Sequence, residues 1–142
     1  MYNEIEVLKN INKNTKIGIE SCYIIYNLID NNMFKEKLLT FIEEYMKVLN
    51  EVDIIFDSIN VDFDYNDLSS RMCMYFTIKC ELLKNNKLSN ISRMLINGNI
   101  MGIIDVNESI SKYANIDETI LEILNQLKQI EENNIKELYK TI

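Results

Sequence analysis

Apolar residues recur along this chain at intervals of three and four, the repeat of one face of an α-helix. Between about Asn3 and Asp30, the positions Ile5, Leu8, Thr15, Ile19, Cys22, Tyr26 and Ile29 keep that spacing and predict a first helix. Within it, the stretch from Cys22 to Ile29 is apolar almost all round, which predicts burial on every side. Asn31 and Asn32 form the expected turn, since Asn tolerates a left-handed backbone and also caps helix starts. The cleanest stripe follows between about Met33 and Ile59: Phe34, Leu38, Phe41, Tyr45, Val48, Val52, Ile55 and Ile59. A repeat this steady suits helices that pack at shallow crossing angles.

The pattern then lapses. Residues 60–66 are acidic and aromatic and predict the longest connection. From about Asp67 to Leu83, the residues Leu68, Met72, Tyr75, Phe76, Lys79 and Leu83 predict the inner side of a shorter helix, which the polar run Lys84 to Lys87 ends. Ser89 is the expected N-cap of a helix reaching Tyr113. Asn115-Ile-Asp-Glu118 has the form of a capping box, a polar cap followed three residues later by Glu. The last helix then runs to about Thr141, with Ile116, Ile120, Leu124, Leu127 and Leu138 along its inner side. Four long helices joined by short links, with one shorter helix added, predict an all-α fold. The expected architecture is an antiparallel four-helix bundle forming one domain over residues 1–142.

Composition agrees with that picture. The chain has no proline and 3 glycines, whereas β-rich folds need turn residues at short intervals. Gly18, Gly98 and Gly102 all fall inside predicted helices, where each costs about 1 kcal/mol against Ala. Gly98 and Gly102 share a face. The expectation is that this face meets another helix closely, near Gly18.

The formal net charge is −7, with no cluster of Lys and Arg, which disfavours nucleic acid and anionic lipid as partners. No apolar run has the length of a membrane span. The three cysteines, Cys22, Cys73 and Cys80, form no CxxC pair. With no signal peptide evident, they read as reduced thiols of a cytoplasmic protein, and Cys73 and Cys80 as small core residues seven apart on one face.

Histidine is absent, which removes the usual general base and the commonest zinc ligand. There is no P-loop, no GxGxxG and no GxSxG. Asp62-Phe-Asp64-Tyr-Asn66 matches the start of a calcium loop, but Asp67 stands where that loop needs Gly and Cys73 where it needs Glu. A solvated acidic loop is the better reading. Tyr23, Tyr26, Tyr45 and Tyr113 lie near predicted seams and read as core aromatics whose hydroxyls reach the surface.

One carboxylate set merits a metal hypothesis. Glu20, Glu44, Asp105 and Glu131 lie on four different predicted helices, each near mid-length. Di-iron bundles place acids in this way but add Glu-x-x-His pairs. Here Lys47 follows Glu44 by three and Asn134 follows Glu131 by three. Oxygen ligands alone would suit a hard divalent metal such as manganese or magnesium. The competing reading leaves the four acids solvated or paired at the edge of the core.

Several segments carry a family resemblance: Lys16-Ile-Gly-Ile-Glu20, Phe34-Lys35 with Leu38, Glu44-Tyr45, IMGIID at residues 100–105, Tyr113, Asp117, and IEENNI at residues 130–135. Over nearly the whole chain these resemble uncharacterised small ferritin-like four-helix proteins of Gram-positive anaerobes. The resemblance implies the ferritin-like fold and carries no activity with it. The expected role is therefore non-enzymatic, through protein association as a homodimer or with a partner protein. A carboxylate-only divalent-metal protein is the alternative.

Overall fold

The computed structural model describes residues 2–113 and 115–142. Among them the chain forms five α-helices and no strand: α1 (Tyr2–Leu28), α2 (Asn32–Ser58), α3 (Leu68–Lys84), α4 (Leu88–Lys112) and α5 (Glu118–Tyr139). Local chemistry sets their ends. Asn31 caps α2, its side chain accepting the Phe34 N–H at 2.9 Å. Asp67 caps α3 through the Ser70 N–H at 3.2 Å. Two caps differ from expectation. Ser89 lies inside α4, which starts one residue earlier with no side-chain cap at Lys87. The cap of α5 is Asp117, accepting the Thr119 N–H at 2.8 Å, so Glu118 opens the helix and cannot close a capping box with Asn115.

α1 packs along α2 and α4 along α5, while α2 also meets α5 and α1 meets α4. Their buried residues form two apolar clusters. One joins Val7, Leu8 and Ile11 to Val48, Val52 and Phe56, with Val106 from α4 and Ile120 to Ile130 from α5. The other joins Cys22, Ile25 and Ile29 to Phe34, Leu38 and Phe41, with Ile91, Leu95 and Ile96 from α4 and Leu138 from α5. The α2 stripe is buried as its periodicity predicts from Phe34 to Val52, and only Ile55 and Ile59 are partly open. The end of α1 is not buried all round, because α1 has neighbours on one side there: Tyr23 and Leu28 face solvent.

α3 reverses its expected orientation. Ile78 is its buried residue, and Met74 and Leu82 pack beside it against the second cluster. Leu68, Met72, Tyr75, Phe76 and Leu83, expected inside, are exposed. Cys73 and Cys80 are exposed too, so they are not core residues. The helix is apolar on two sides, and the one spaced 74, 78, 82 is the one that meets α1. The connection before it is pinned to α1. Asn12 accepts the Tyr65 N–H at 3.0 Å, Lys16 pairs with Asp64, and Lys9 sits over the Phe63 ring at 5.1 Å. Asn60 turns the chain at the end of α2 with a left-handed φ of 56°.

Removing side chains at these points has defined costs. Asn31→Ala should lower unfolding free energy by about 1 kcal/mol through the lost cap, and Leu127→Ala, at a fully buried site, by about 2–5 kcal/mol. Urea denaturation of the two variants beside the parent checks both figures.

Candidate functional site

Between the two apolar clusters, four polar side chains meet. Glu131 and Asn134 come from α5, Asn99 from α4 and Tyr45 from α2, and all are buried. Each lies on the inner stripe of its own helix. In α5 that stripe runs Ile120, Leu124, Leu127, Glu131, Asn134, Leu138, so helical spacing alone carries the acid inward.

Two glycines make room for this layer. A Cβ on Gly102 would collide with the Glu131 carboxyl group, and one on Gly18 would sit 2.8 Å from the Tyr45 ring. The close approach expected at the glycines therefore holds for these two, although each receives a side chain. Gly98 differs from expectation: it is exposed, with nothing within 4 Å of its missing Cβ.

The hydrogen bonds limit the protonation states open to the layer. The Tyr45 hydroxyl lies 3.0 Å from Asn99 Oδ1 and 3.1 Å from Glu131 Oε2. It has one proton to give. Asn99 Oδ1 also accepts from Asn134 Nδ2 at 3.2 Å, and Asn99 Nδ2 donates to the Leu95 carbonyl at 2.8 Å. When Tyr45 donates to Asn99, the contact with Glu131 becomes a hydrogen bond only if the carboxyl group carries a proton. Burial acts in the same direction. It pushes the Glu131 carboxyl up to about 8, with the nearby Asp105 adding to the rise and the Tyr45 contact opposing it. The same burial, reinforced by Glu131, raises the Tyr45 hydroxyl well above its ordinary range and the Cys22 thiol to about 12. Both stay neutral near pH 7, and Cys22 has no thiolate character to act as a nucleophile. Tyr45 thus turns its hydroxyl into the core, contrary to the expectation that such hydroxyls reach the surface.

A cleft of about 300 Å³ opens onto this layer. Its walls come from α1, α3 and α4, and Tyr45 and Glu131 reach it from α2 and α5. Asp105 lines it as well, so two of the four candidate acids share one space. The other two are elsewhere. Glu20 is bound by Arg71 of α3 at 2.8 Å, and Glu44 by Lys47 of its own helix at 2.9 Å. Among the described residues, no group of three or more His, Cys, Asp or Glu side chains is close enough to hold a metal ion. In the acidic loop, Lys16 takes Asp64 and the α3 cap takes Asp67.

Asn99 and Asn134 were not among the candidate acids. A signal for both was present, since each falls on the inner stripe of its helix. No helix of the described residues is long and apolar enough to cross a membrane. Comparison of the chain with family models, with curated proteins and with solved structures finds no match.

The buried carboxyl group makes stability depend on pH. Folding raises the affinity of Glu131 for its proton, so its stabilising contribution is complete below the ordinary carboxyl range and is lost as pH rises through about 8. Thermal melts should show the parent losing stability between about pH 5 and pH 8 relative to Glu131→Gln, by several kcal/mol on conversion. Parallel pH profiles for the two proteins would show that the carboxyl group ionises freely in the fold. Gly98→Ala should stabilise by up to about 1 kcal/mol, and Gly102→Ala should destabilise by displacing Glu131 from Tyr45.

Proposed function

We propose that the chain is a ferritin-like four-helix bundle of α1, α2, α4 and α5 that acts through association, pairing with a second copy along α3. The packing order supports the bundle. The first apolar cluster holds the start of α1, the end of α2, the end of α4 and the start of α5. The second holds the opposite ends of the same helices. That is the arrangement expected if α1 and α5 run one way, α2 and α4 the other, and the one long crossover, between α2 and α4, carries α3.

The outer side of α3 carries the association reading. Leu68, Met72, Tyr75, Phe76 and Leu83 stand exposed along one 17-residue helix, with Phe76 57% and Leu83 80% open. Scattered exposed apolar residues need no explanation, but a continuous stripe of them marks an interaction surface. The stripe is nearly symmetric about Tyr75 and Phe76. Laid antiparallel on a second copy, Leu68 would meet Leu83, Tyr75 would meet Phe76, Met72 would lie along the aliphatic stem of Lys79, and Asp67 at one end would face Lys84 at the other. An isologous twofold pairing needs this self-complementary order. In α3 the bases Arg71, Lys79 and Lys84 outnumber the acid Glu81, so this helix is repelled less by another copy than the acidic chain as a whole would be.

A hard divalent cation at Asp105 and Glu131 is the second reading, favoured by their shared cleft. Manganese or magnesium should then raise Tm in a way that Glu131→Gln abolishes.

Light scattering over a range of concentrations tests the association. The parent should dimerise, and Phe76→Glu and Leu83→Glu should weaken the dimer by at least about tenfold while leaving helix content unchanged. A parent that stays monomeric at high concentration would remove the pairing.

A further inference from the structure

The cleft over Glu131 is larger than packing requires and has an open mouth. Gly98 lies at its rim with free space beyond it, and Gly102 at its floor admits the Glu131 carboxyl group. Its walls are apolar, with Ile17, Ile78, Met74 and Met101 among them. Its polar floor holds Asp105 and Glu131, and no Lys or Arg lines it. Glu131 is 97% buried by its 3% exposure, and Tyr45 reaches one of its oxygens only. No other hydrogen bond to Glu131 occurs among the described residues, so Oε1, the oxygen nearest the missing Cβ of Gly102, is left without a protein partner. An apolar pocket with a few convergent polar groups is the usual form of a small-molecule site.

We propose that this cleft binds a small organic ammonium ion, its cationic head between Glu131 and Asp105 and its apolar body against Ile17, Ile78 and Met101. Charge selects this class. An anion would meet two acids and no cation. A neutral alcohol could fill the walls but would leave Asp105 uncompensated. An ammonium group supplies both the charge and the three donors that two carboxylates can accept. The acidic surface, at −7 overall, would concentrate such cations near the mouth. Cys22 also lines the cleft, but among the described residues no three His, Cys, Asp or Glu side chains come close enough together to hold a bare metal ion.

Binding must then be coupled to a proton. The groups facing Glu131 are Cys22 from α1, Tyr45 from α2 and Asp105 from α4, while α3 presents only Met74 and Ile78 to the cleft. Of these, Cys22 and Tyr45 stay neutral through the range in question. The head group therefore displaces the Glu131 proton, which the empty site holds up to about 8. Affinity should rise about tenfold per pH unit toward that value and level off above it.

Calorimetry on the full chain with n-hexylammonium, n-hexanol, n-hexanoate and manganese provides the test. The expected result at about pH 9 is hexylammonium bound at least about tenfold more tightly than the alcohol or the acid. At about pH 6.5, binding should be weaker and should release close to one proton per ligand, read from the buffer dependence of the heat. Glu131→Gln should lose at least about tenfold in hexylammonium affinity and the proton release with it. Gly98→Phe, at an exposed site where folding is undisturbed, should block the mouth and weaken binding similarly. The proposal is overturned by hexanoate or hexanol binding as tightly, by no uptake of hexylammonium, by affinity independent of pH, or by manganese binding more tightly than the amine. Should Glu131→Gln fail to fold, the proton count on the parent and the Gly98→Phe result decide between the same outcomes.

Discussion

A carboxyl group carried into an apolar core must keep its proton or find a countercharge, and Glu131 sets that condition for the middle of this protein. Ionised and alone it would cost several kcal/mol of desolvation. Its surroundings meet the condition with neutral partners. Tyr45 bridges it to Asn99, Asn134 completes the amide network, and Gly102 vacates the space the carboxyl group occupies. The two apolar clusters lie on either side of this layer, so the helices are held by continuous hydrophobic contact above and below a polar plane.

α3 ties that plane to the surface. One side of it, through Met74 and Ile78, closes the cleft that opens onto Glu131. A different side of the same helix carries the exposed stripe at Leu68, Met72, Phe76 and Leu83. α3 packs chiefly on α1, supported by the Arg71–Glu20 pair and by the loop that Asn12 and Lys16 hold. A helix with one main neighbour is the element whose seating responds most readily to what fills the space beneath it. An occupant of the cleft and an occupant of the outer stripe would therefore act on the same 17 residues.

What could be read from the chain beforehand follows from what periodicity encodes. The α2 stripe was legible because an apolar residue recurs every third or fourth position from Phe34 to Val52, flanked by Ile42 and Leu49, which are buried beside it, while Glu36, Glu43, Lys47 and Glu51 stay outside. The existence of α3 was equally legible, but its orientation was not. Leu68, Met72, Phe76 and Leu83 form one apolar row, and Met74, Ile78 and Leu82 form another. A row names a face that could be buried, and its neighbours decide whether it is. The same limit applied to Cys73 and Cys80. Helix caps missed by two residues at Asn115 and Asp117, because several side chains there can accept an N–H and backbone geometry chooses among them. Gly18 and Gly102 did signal close approach, yet no spacing rule distinguishes a glycine that admits a tyrosine ring from one, like Gly98, that faces open space.

The dispersal of the four acids has an electrostatic reason. Four carboxylates gathered at one buried level would repel one another, and without a cation each would have to hold its proton. A nearby base spares an acid that fate. Arg71 lies within reach of Glu20, and Lys47 follows Glu44 by one helical turn, so both are paired at the edge of the fold. No basic residue lines the cleft beside Asp105 and Glu131. Glu131 goes inside because its stripe position demands it and because Tyr45 and Gly102 make that position tolerable. Asp105, half-buried beside it, has no basic residue in the lining of the cleft to pair with. These two acids lie where the walls are apolar and the mouth is open, which is why this point of the molecule, of all its acidic surface, suits a cation with an apolar body.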